Sequence, residues 1–417
     1  MRSLWSRPTP DSETTSCLSV LDLGASSVKA LVLQRAGDGV TIIGRGRAPT
    51  QGVGLVPGGL TEDGGIADID GLASICERAL CDAEDSTVET CGHKVVPDEA
   101  LVSVPSSCSR GAVGQGATRR TAVETGIALE ECFESVSLAG RRALRELGRV
   151  TGGGKWEVVD GALVVFTVDG HRVTDPVGFR GHLLQATVFA VATPRGFASS
   201  LRQLADRLQL EPPRLVAEAV SLAAACPGDG LIIEIGARAT GLCLVRYGAP
   251  LACGSVLSGG DSFTQALADA FQLFPSRAEA LKWAYGARQL SPEGTAAVQK
   301  ALAAPIQSWI SAVLEELGPW RDAIRVWPPE IHLCGGTSAL PGLQESVSAV
   351  RWLDLMPFPH TPNVNIWDGS PLTQVIDRTQ PRWLVGDVVA LSMAALAARD
   401  RSGPTPDGVL RTVLGIE

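Results

Sequence analysis

Residues 18–34 read LSVLDLGASSVKALVLQ, and residues 231–246 read LIIEIGARATGLCLVR. Each stretch is an apolar strand, an acidic residue, a turn of small residues and a second apolar strand, which predicts a β-hairpin. Small residues at the tips let backbone N–H groups approach a phosphate, and a carboxylate at the strand end can hold the water shell of Mg²⁺. One such hairpin fits a plain surface turn equally well. Two copies favour a clamp with one hairpin in each of two lobes.

Composition indicates a folded protein with room for several domains. The chain has 417 residues, of which 45% are hydrophobic and 19% charged, and its net charge is -9 at pH 7. This balance is typical of a globular acidic protein and argues against a nucleic-acid partner bound through a basic face. The ten cysteines include no Cys-x-x-Cys pair, which predicts buried thiols in a reducing compartment.

The sequence predicts neither a secretory signal nor a membrane span. The first eight residues (MRSLWSRP) lack the apolar core of a signal peptide. No run reaches the roughly 18 apolar residues that cross a bilayer. We therefore expect a cytoplasmic protein.

The segment between the two hairpins predicts a separate α+β module. Residues 69–83 have the spacing of an amphipathic helix, and 84–97 are predicted as a loop. From residue 100 onward, strands at 100–104, 157–168 and 183–192 enclose an amphipathic helix at 130–147. An α+β segment of this kind, placed between two parts of one lobe, is typical of an inserted module.

Two further features follow the second hairpin. Ser276 is predicted to cap a helix, with Glu279 at the capping-box position. Farther on, the short strand at 331–334 runs directly into Gly335-Gly336-Thr337, a turn whose paired glycines would let a ligand lie flat on the backbone.

The order of these features resembles the actin-like ATPases, and three stretches resemble the bacterial cell-division family FtsA. Residues 168–181 (VDGHRVTDPVGFRG) resemble its signature ending in Pro-Val-Gly-Met-x-Gly, residues 259–268 (GGDSFTQALA) its Gly-Gly-x-x-x-Thr helix start, and residues 278–286 (AEALKWAYG) its Ala-Glu-x-x-Lys helix. The resemblance spans residues 17–398. It implies an α/β fold: an actin-like, two-lobed ATPase fold with duplicated ribonuclease-H-like cores and an inserted α+β subdomain of the SHS2 type.

The resemblance implies ATP and Mg²⁺ as ligands of the cleft. The implied first phosphate loop is Asp22, Gly24, Ser26 and Lys29, and the second is Glu234, Gly236, Arg238 and Thr240, with Asp22 and Glu234 holding magnesium through water. Gly259 and Gly260 would flank the nucleotide, Glu279 and Lys282 would reach the ribose or base, and Gly335, Gly336 and Thr337 would contact the adenosine.

The second loop departs from the family pattern Asp-Ile-Gly-Gly-Gly-Thr. Glu234 replaces the aspartate, and Arg238 stands where backbone usually meets phosphate, so its guanidinium either binds phosphate in place of Mg²⁺ or simply fills the site. Glu218 keeps the acidic residue of a Glu-Pro turn whose proline is missing, and it is the candidate catalytic residue that orients an attacking water. The sequence therefore predicts nucleotide binding, with hydrolysis slow or absent.

Plainer interpretations exist for several of these residues. Lys29 can be a solvated lysine at a strand start, Glu279 a capping residue only, and Gly335-Gly336 a tight packing turn. His332, beside that turn, is more typical of a core position than of a ligand.

The last residues predict a linker followed by a short amphipathic helix. Residues 402–408 (SGPTPDG) form the linker, and FtsA proteins typically end in such a linker and a membrane-targeting helix. The apolar positions that share one helical face are Val409, Leu410, Val413 and Leu414. With Arg411 as its cation, one copy would bind a membrane surface weakly, and polymerisation would add avidity. A frayed polar terminus is the alternative.

These predictions divide the chain into segments. They are a flexible tail (1–16), a first lobe (17–97), the inserted subdomain (98–192), a return to the first lobe (193–228), a second lobe (229–256 and 326–384) with its own subdomain (257–325), a helix closing the first lobe (385–400), and the linker and tail (401–417).

The leading functional hypothesis is an FtsA-like protein that binds ATP, self-associates into filaments and tethers the ring of the tubulin-like division protein to the cytoplasmic face of the inner membrane. The C-terminal peptide of that protein would dock on residues 257–325. The alternative is a PilM-like scaffold of type IV pilus or secretion assembly, which would hold a short peptide of a membrane protein in a groove of the inserted module. A sugar kinase of the same superfamily is the third hypothesis, and the sequence shows no convincing catalytic aspartate for it.

Overall fold

Two sheets built on the same plan form the body of the molecule. The computed structural model describes residues 16–36, 39–50, 64–370, 372, 374–379, 382–399 and 405–416. The strands are β1 (Cys17–Leu23), β2 (Ser27–Ala36), β3 (Gly39–Pro49), β4 (Ala100–Val104), β5 (Arg110–Arg119), β6 (Trp156–Val168), β7 (His171–Val173), β8 (Leu183–Pro194), β9 (Arg214–Ala217), β10 (Gly230–Ile235), β11 (Thr240–Arg246), β12 (Ala249–Val256), β13 (Glu330–Cys334), β14 (Asn363–Ile366) and β15 (Val375–Asp377). The helices are α1 (Ile69–Cys91), α2 (Leu129–Val150), α3 (Arg195–Arg207), α4 (Glu218–Ala225), α5 (Gly260–Phe271), α6 (Pro275–Gly286), α7 (Pro292–Ala323), α8 (Leu343–Ser348), α9 (Trp352–Leu355), α10 (Val388–Arg399) and α11 (Pro406–Leu414).

The duplication seen in the sequence is repeated in the sheet topology. The first sheet has the order β15-β3-β2-β1-β4-β9 and the second β12-β11-β10-β13-β14. In both, three antiparallel strands are followed by two parallel ones. Each predicted hairpin is present, as β1–β2 and as β10–β11, and the acidic residue of each lies near the strand end.

Strands β1 and β10 form hairpins at the centres of their sheets because their side chains are apolar on both faces. Every residue of β1 after Cys17 is buried, and so is every residue of β10 except Glu234. Helix α1 packs closely on β3, where a Cβ on Gly46 would lie 2.0 Å from the Ala79 carbonyl oxygen. On the other face, α10 packs against α4. Burial at roughly 25 cal/mol per Å² of apolar surface stabilises this layered arrangement.

The inserted subdomain is a four-stranded antiparallel sheet, in the order β5-β8-β6-β7, covered by α2. Strand β4 pairs parallel with β1 and lies in the first sheet, so the insertion begins after residue 104 and the predicted boundary at 98 is wrong. All five side chains of β4 are buried, as a strand covered on both faces requires.

Three other sequence predictions need correction. Helix α1 continues to Cys91, so residues 84–91 of the predicted loop at 84–97 are helical; Thr87 is buried and the left-handed Gly92 ends the helix. Helix α6 begins at Pro275 with Phe274 as its N-cap, so Ser276 is not a cap and Glu279 is not a capping-box residue. Residues 375–377, predicted in the second lobe, pair with β3 in the first sheet.

The last helix, α11, packs against α2 and β6 of the inserted subdomain. Thr405 caps its N-terminus by accepting a hydrogen bond from the Gly408 N–H, and Gly415 ends it in the left-handed conformation. The alternative of a frayed polar terminus is therefore wrong. No helix in the described ranges is long and apolar enough to cross a membrane.

Candidate functional site

The first hairpin places a buried ion pair at the end of its strands. Asp22 and Lys29 face each other across β1 and β2, and the Lys29 Nζ donates to Asp22 Oδ2 at 2.6 Å. The Asp22 side chain is 2% exposed and that of Lys29 14%. Burial lowers the pKa of Lys29, but the charges of Asp22 and Asp387 outweigh burial and raise it above its ordinary value. Lys29 is therefore a charged, buried partner of Asp22 and not a solvated surface lysine.

Hydrogen bonds with Ser103 of β4 and with Thr50, just after β3, fix the tip of this hairpin. The Leu23 N–H donates to Ser103 Oγ at 2.9 Å, and the Thr50 hydroxyl and N–H donate to the Ala25 and Ser26 carbonyls. Ser26 itself is exposed. A Cβ on Gly24 would lie 2.7 Å from the Ser27 carbonyl oxygen, so the turn needs glycine at this position.

Two more carboxylates share the electrostatic environment of this pair. Glu218 begins α4, and its Oε2 accepts a hydrogen bond of 2.7 Å from the Ser106 N–H. Burial, and then the charge of Asp22, raise the pKa of Glu218 to about 7. Burial and the charge of Glu218 raise the pKa of Glu234 well above its ordinary value, although Lys29 opposes them. The structure thus brings the candidate residues of both hairpins and Glu218 within electrostatic reach of one another.

The charges of this cluster do not balance. Asp22, Glu218 and Glu234 are three carboxylates, and Lys29 is the cation that acts on each of them. Like charges in a buried site repel, so the site either takes up protons or accepts a cation. Within the described residues, no three His, Cys, Asp or Glu side chains are arranged to coordinate a metal directly. Mg²⁺ keeps several of its waters and needs only one or two carboxylates, and Asp22 and Glu234 are of that chemical type.

Hydrogen bonds connect the tip of the second hairpin to the start of α5 and to Thr337. The Gly236 carbonyl accepts hydrogen bonds from the Gly260 N–H and the Thr337 hydroxyl, both at 3.0 Å, and the Ala237 carbonyl accepts one from the Asp261 N–H at 2.7 Å. Gly259 and Gly260 are needed for this approach: a Cβ on Gly259 would lie 2.6 Å from the Gly236 oxygen. These glycines, predicted to flank a nucleotide, thus join the hairpin tip to the start of α5.

Thr240 does not face the cleft. It is fully buried, its hydroxyl donates to the Ser258 carbonyl at 2.8 Å, and it accepts from the Trp309 indole N–H at 2.8 Å. Its assignment as a phosphate ligand is therefore wrong, because its one hydroxyl proton, the donor that a phosphate would need, goes to the Ser258 carbonyl.

Arg238 has a partner within the same lobe. Its Nε lies 3.3 Å from Asp261 Oδ2, and its side chain is 25% exposed. Of the two roles that the sequence left open, this ion pair favours filling the site, because Asp261 already satisfies part of the guanidinium charge.

Glu279 and Lys282 form one polar cluster with Thr264. The Lys282 Nζ lies 2.7 Å from Glu279 Oε2, and it donates to Thr264 Oγ1 at 2.7 Å and to the Gly260 carbonyl at 3.0 Å. The Thr264 hydroxyl donates to Glu279. This cluster lies directly beside the Gly259-Gly260 turn. Thr264 belongs to the quoted Gly-Gly-x-x-x-Thr match, yet the sequence did not single it out.

The two glycines after β13 differ sharply in their surroundings. Gly335 has φ +85°, and a Cβ there would lie 2.5 Å from Glu234 Oε1. Gly336 is exposed, and a Cβ there would meet no atom within 4 Å. Gly335 is thus a packing residue against the second hairpin, while Gly336 leaves open space at the surface of the turn, as an adenosine-binding floor requires.

One acidic residue near the site was missed by sequence reasoning. Asp387 lies in a 3₁₀ turn (Val385–Asp387), forms an ion pair with Arg47 and contributes to the raised pKa of Lys29. The Val385 carbonyl of the same turn accepts a hydrogen bond from the Gly335 N–H at 2.9 Å. Asp387 precedes an apolar run that marks a buried helix, so its sequence context suggested a helix start rather than a site.

Comparison with known proteins agrees with this architecture. Cell division protein FtsA of Streptococcus pneumoniae is 24% identical over 353 residues, covering 79% of this chain and 72% of that protein. The solved structure of the PilM-PilN type IV pilus biogenesis complex superposes with a TM-score of 0.59 at 19% identity, covering 92% of this chain and 99% of that one. The chain has the actin-like ATPase fold of the FtsA and PilM type.

Two further comparisons gave weaker or negative results. MreB 5 of Spiroplasma citri, solved with bound AMPPNP, has a TM-score of 0.42 at 13% identity, covering 93% of this chain and 96% of that one. No protein-family model matches the sequence. The predicted actin-like fold is confirmed by the similarity to the PilM-PilN complex.

Proposed function

We propose that this actin-like protein binds ATP with Mg²⁺ between its lobes and acts as an FtsA-like cell-division protein. The observation that carries the nucleotide assignment is the Asp22–Lys29 pair at the end of the first hairpin, within electrostatic reach of Glu234 near the end of β10 and of Glu218 at the start of α4. A triphosphate needs a cation, free backbone amides and a metal ion, and this cluster offers a charged lysine beside carboxylates that favour a hydrated cation.

Each residue of the cleft has a definite role in this proposal. Lys29 would offset phosphate charge, Asp22 and Glu234 would hold the water shell of Mg²⁺, and Gly336 would lie against the adenosine. When bound, the metal ion supplies positive charge that offsets the charge of the phosphates. The Glu279–Lys282 pair would face the ribose or base from α6.

Glu218 is the proposed catalytic residue for any hydrolysis. A carboxylate with a pKa near 7 can accept a proton from water at neutral pH. The backbone N–H and the hydroxyl of Ser106 both hydrogen-bond to this carboxylate and hold it in place. Because the second loop carries Arg238 paired with Asp261, we expect binding to be firm and turnover slow or absent.

Nucleotide binding is tested by titrating the purified chain with ATP in the presence of Mg²⁺. Asp22→Ala and Gly336→Asp should each lower the ATP affinity at least tenfold, which corresponds to about 1.4 kcal/mol. Arg35→Ala, on the same hairpin but in an exposed pair with Glu99, is the matched control and should leave affinity unchanged. Unchanged affinity in both site variants would refute the clamp.

The cell-division role rests on the likeness to FtsA and adds partners to the nucleotide site. We propose self-association into filaments, docking of the C-terminal peptide of the tubulin-like division protein on residues 257–325, and weak attachment of Val409, Leu410, Val413 and Leu414 to the cytoplasmic face of the membrane. Two large aromatic side chains on the proposed docking segment are strongly exposed, Phe274 at 81% and Trp283 at 67%. Exposed aromatic side chains of this size are typical of docking surfaces.

The second candidate function is a PilM-like scaffold of pilus or secretion assembly. It is favoured by the fold similarity across 99% of the matched chain of the PilM-PilN complex. A pull-down with two synthetic peptides distinguishes the functions. Capture of the division-protein peptide, lost in Phe274→Ala or Trp283→Ala, supports the first, whereas capture of a short membrane-protein peptide on the inserted subdomain supports the second.

A further inference from the structure

The apolar face of the C-terminal helix is not available to a membrane in this structure. Leu410 and Leu414 are 1% and 5% exposed and belong to the core of the inserted subdomain. Val409 and Ile416 pack against the same core. The residues that would enter a lipid surface are therefore the ones that hold the helix on its own protein.

The surface that receives the helix is shaped by two glycines, one on α2 and one on β6. A Cβ on Gly140 would lie 2.8 Å from Val413 Cγ1 and 3.5 Å from Leu410 Cδ1. A Cβ on Gly161 would lie 2.5 Å from Leu414 Cδ1. We name this surface, between Gly140 and Gly161, the tail groove. The short distances to the side chains of Leu410, Val413 and Leu414 show that the helix packs closely in this groove.

Two charged residues of the helix act electrostatically on residues outside it. Burial lowers the pKa of Arg399 at the end of α10, and the charge of Asp407 in the first turn of α11 opposes this effect. Arg411, in the middle of the helix, acts on the buried carboxylate of Asp160 in β6. Arg399 and Asp407 are thus within electrostatic reach of each other.

We propose that the tail groove holds the chain's own C-terminal helix in a closed state, and that the membrane attachment in the proposed function, on which this inference rests, requires release of that helix. One apolar face cannot pack on the groove and enter lipid at the same time. A nine-residue helix is marginal in water by itself, so the released tail is expected to unfold until it meets a lipid surface. The groove is the receptor, and the tail of the same chain is its occupant.

The proposal is tested with Gly140→Leu, which fills the groove from within α2. The three atoms nearest to a new Cβ at this position belong to Leu410 and Val413, and a leucine is a better helix residue than glycine. Gly148→Leu is the matched control on the same helix, because a Cβ there meets no atom within 4 Å. Hydrogen exchange of the full chain without lipid should show protected amides at 408–414 in the wild type and the control. Protection in Gly140→Leu should fall at least tenfold, while the amides of β8 stay protected and report that the subdomain is folded.

Flotation with vesicles containing anionic phospholipid then measures release. We expect weak binding of the wild type and of Gly148→Leu, several-fold stronger binding of Gly140→Leu, and none when residues 405–417 are deleted. Unprotected tail amides in the wild type would overturn the docking. Protection that rises with protein concentration would overturn docking on the same chain in favour of a second copy. Tail release without any gain in vesicle binding would overturn the closed-state role together with the membrane attachment, while ATP titration tests the nucleotide site separately.

Discussion

The carboxylate of Asp160 accepts a hydrogen bond of 3.0 Å from the backbone N–H of Ala217, 57 residues away in the chain. Asp160 lies in β6 of the inserted subdomain, and Ala217 is the last residue of β9, directly before Glu218. The second Asp160 oxygen accepts from the Gly161 N–H at 2.8 Å. One buried carboxylate therefore fastens the inserted subdomain to the strand end that positions Glu218, and it lies next to the tail groove.

Removal of the Asp160 carboxylate should destabilise this junction. Asp160→Ala leaves the Ala217 N–H buried without its acceptor, and we expect the free energy of unfolding to fall by about 1–3 kcal/mol. Asp160→Asn keeps one carbonyl oxygen and should cost less. Urea denaturation measures both. Asp85→Ala, whose side chain is 69% exposed, should cost under about 1 kcal/mol, and an equal loss in the two alanine variants would contradict the role of the junction.

Loss of the cation in the cleft should cost more than loss of a surface cation. Lys29→Met leaves Asp22 buried without its partner, and we expect a loss of about 3–5 kcal/mol in the free energy of unfolding. Asp22→Asn combined with Lys29→Met should cost less than the sum of the two single changes, because the pair is removed together. Arg35→Met on the same strand breaks an exposed pair and should cost under about 1 kcal/mol. Additive costs at positions 22 and 29 would show that the two charges are not coupled.

The two hairpins and the Asp22–Lys29 pair could be predicted from the sequence because they depend on local patterns. Apolar runs around small residues predict β1–β2 and β10–β11, and the pairing of Asp22 with Lys29 follows from the register of one hairpin. The helix at 130–147 is predictable for the same reason, since its 3.6-residue spacing is local.

The remaining errors arise where a distant segment decides the outcome. Thr240 has the motif position of a phosphate ligand, but Trp309, 69 residues later, binds its hydroxyl in the core. The residue pattern of β4 resembles that of the inserted module, yet β4 pairs in parallel with β1. The amphipathic pattern of the tail helix is local and can be read from the sequence. The groove that covers the helix depends on Gly140 and Gly161, and the role of these glycines is visible only in the packing of α2 and β6 against that helix.

The raised pKa of Glu218 should make stability depend on pH. This pKa is about 7 in the folded chain against an ordinary value of 4.5, so the folded state binds the proton more tightly than the unfolded state. The free energy of unfolding should therefore fall as pH rises from about 4.5 to 7, by at most about 3 kcal/mol from this group. Glu218→Gln should make the decline between pH 5 and 7.5 shallower in urea denaturation. The part that persists belongs to other groups with raised pKa values, such as Glu234.

Asp169 provides a control of opposite sign for this pH dependence. The N–H groups of His182 and Leu183 lower its pKa, so its contribution is present above its ordinary pKa and is lost as pH falls below that value. Asp169→Asn should leave the slope between pH 5 and 7.5 unchanged. An equally steep decline in the wild type and in Glu218→Gln would contradict the assignment of a raised pKa to Glu218.

The two glycines after β13 should separate folding from binding. At Gly335, alanine would force a side chain into the positive-φ region, 2.5 Å from Glu234, so Gly335→Ala should lower the free energy of unfolding by about 1–3 kcal/mol. At Gly336 a Cβ meets nothing, so Gly336→Ala should change stability by less than about 1 kcal/mol and Gly336→Asp should still fold. If an adenosine lies on this turn, the aspartate at 336 should nevertheless weaken ATP binding at least tenfold, because its charge and bulk occupy the open space. Thermal unfolding measures the stability of these three variants, and ATP titration measures their affinity for ATP. Equal effects at 335 and 336 in the two measurements would mean that the turn is only a packing feature and that the nucleotide lies elsewhere.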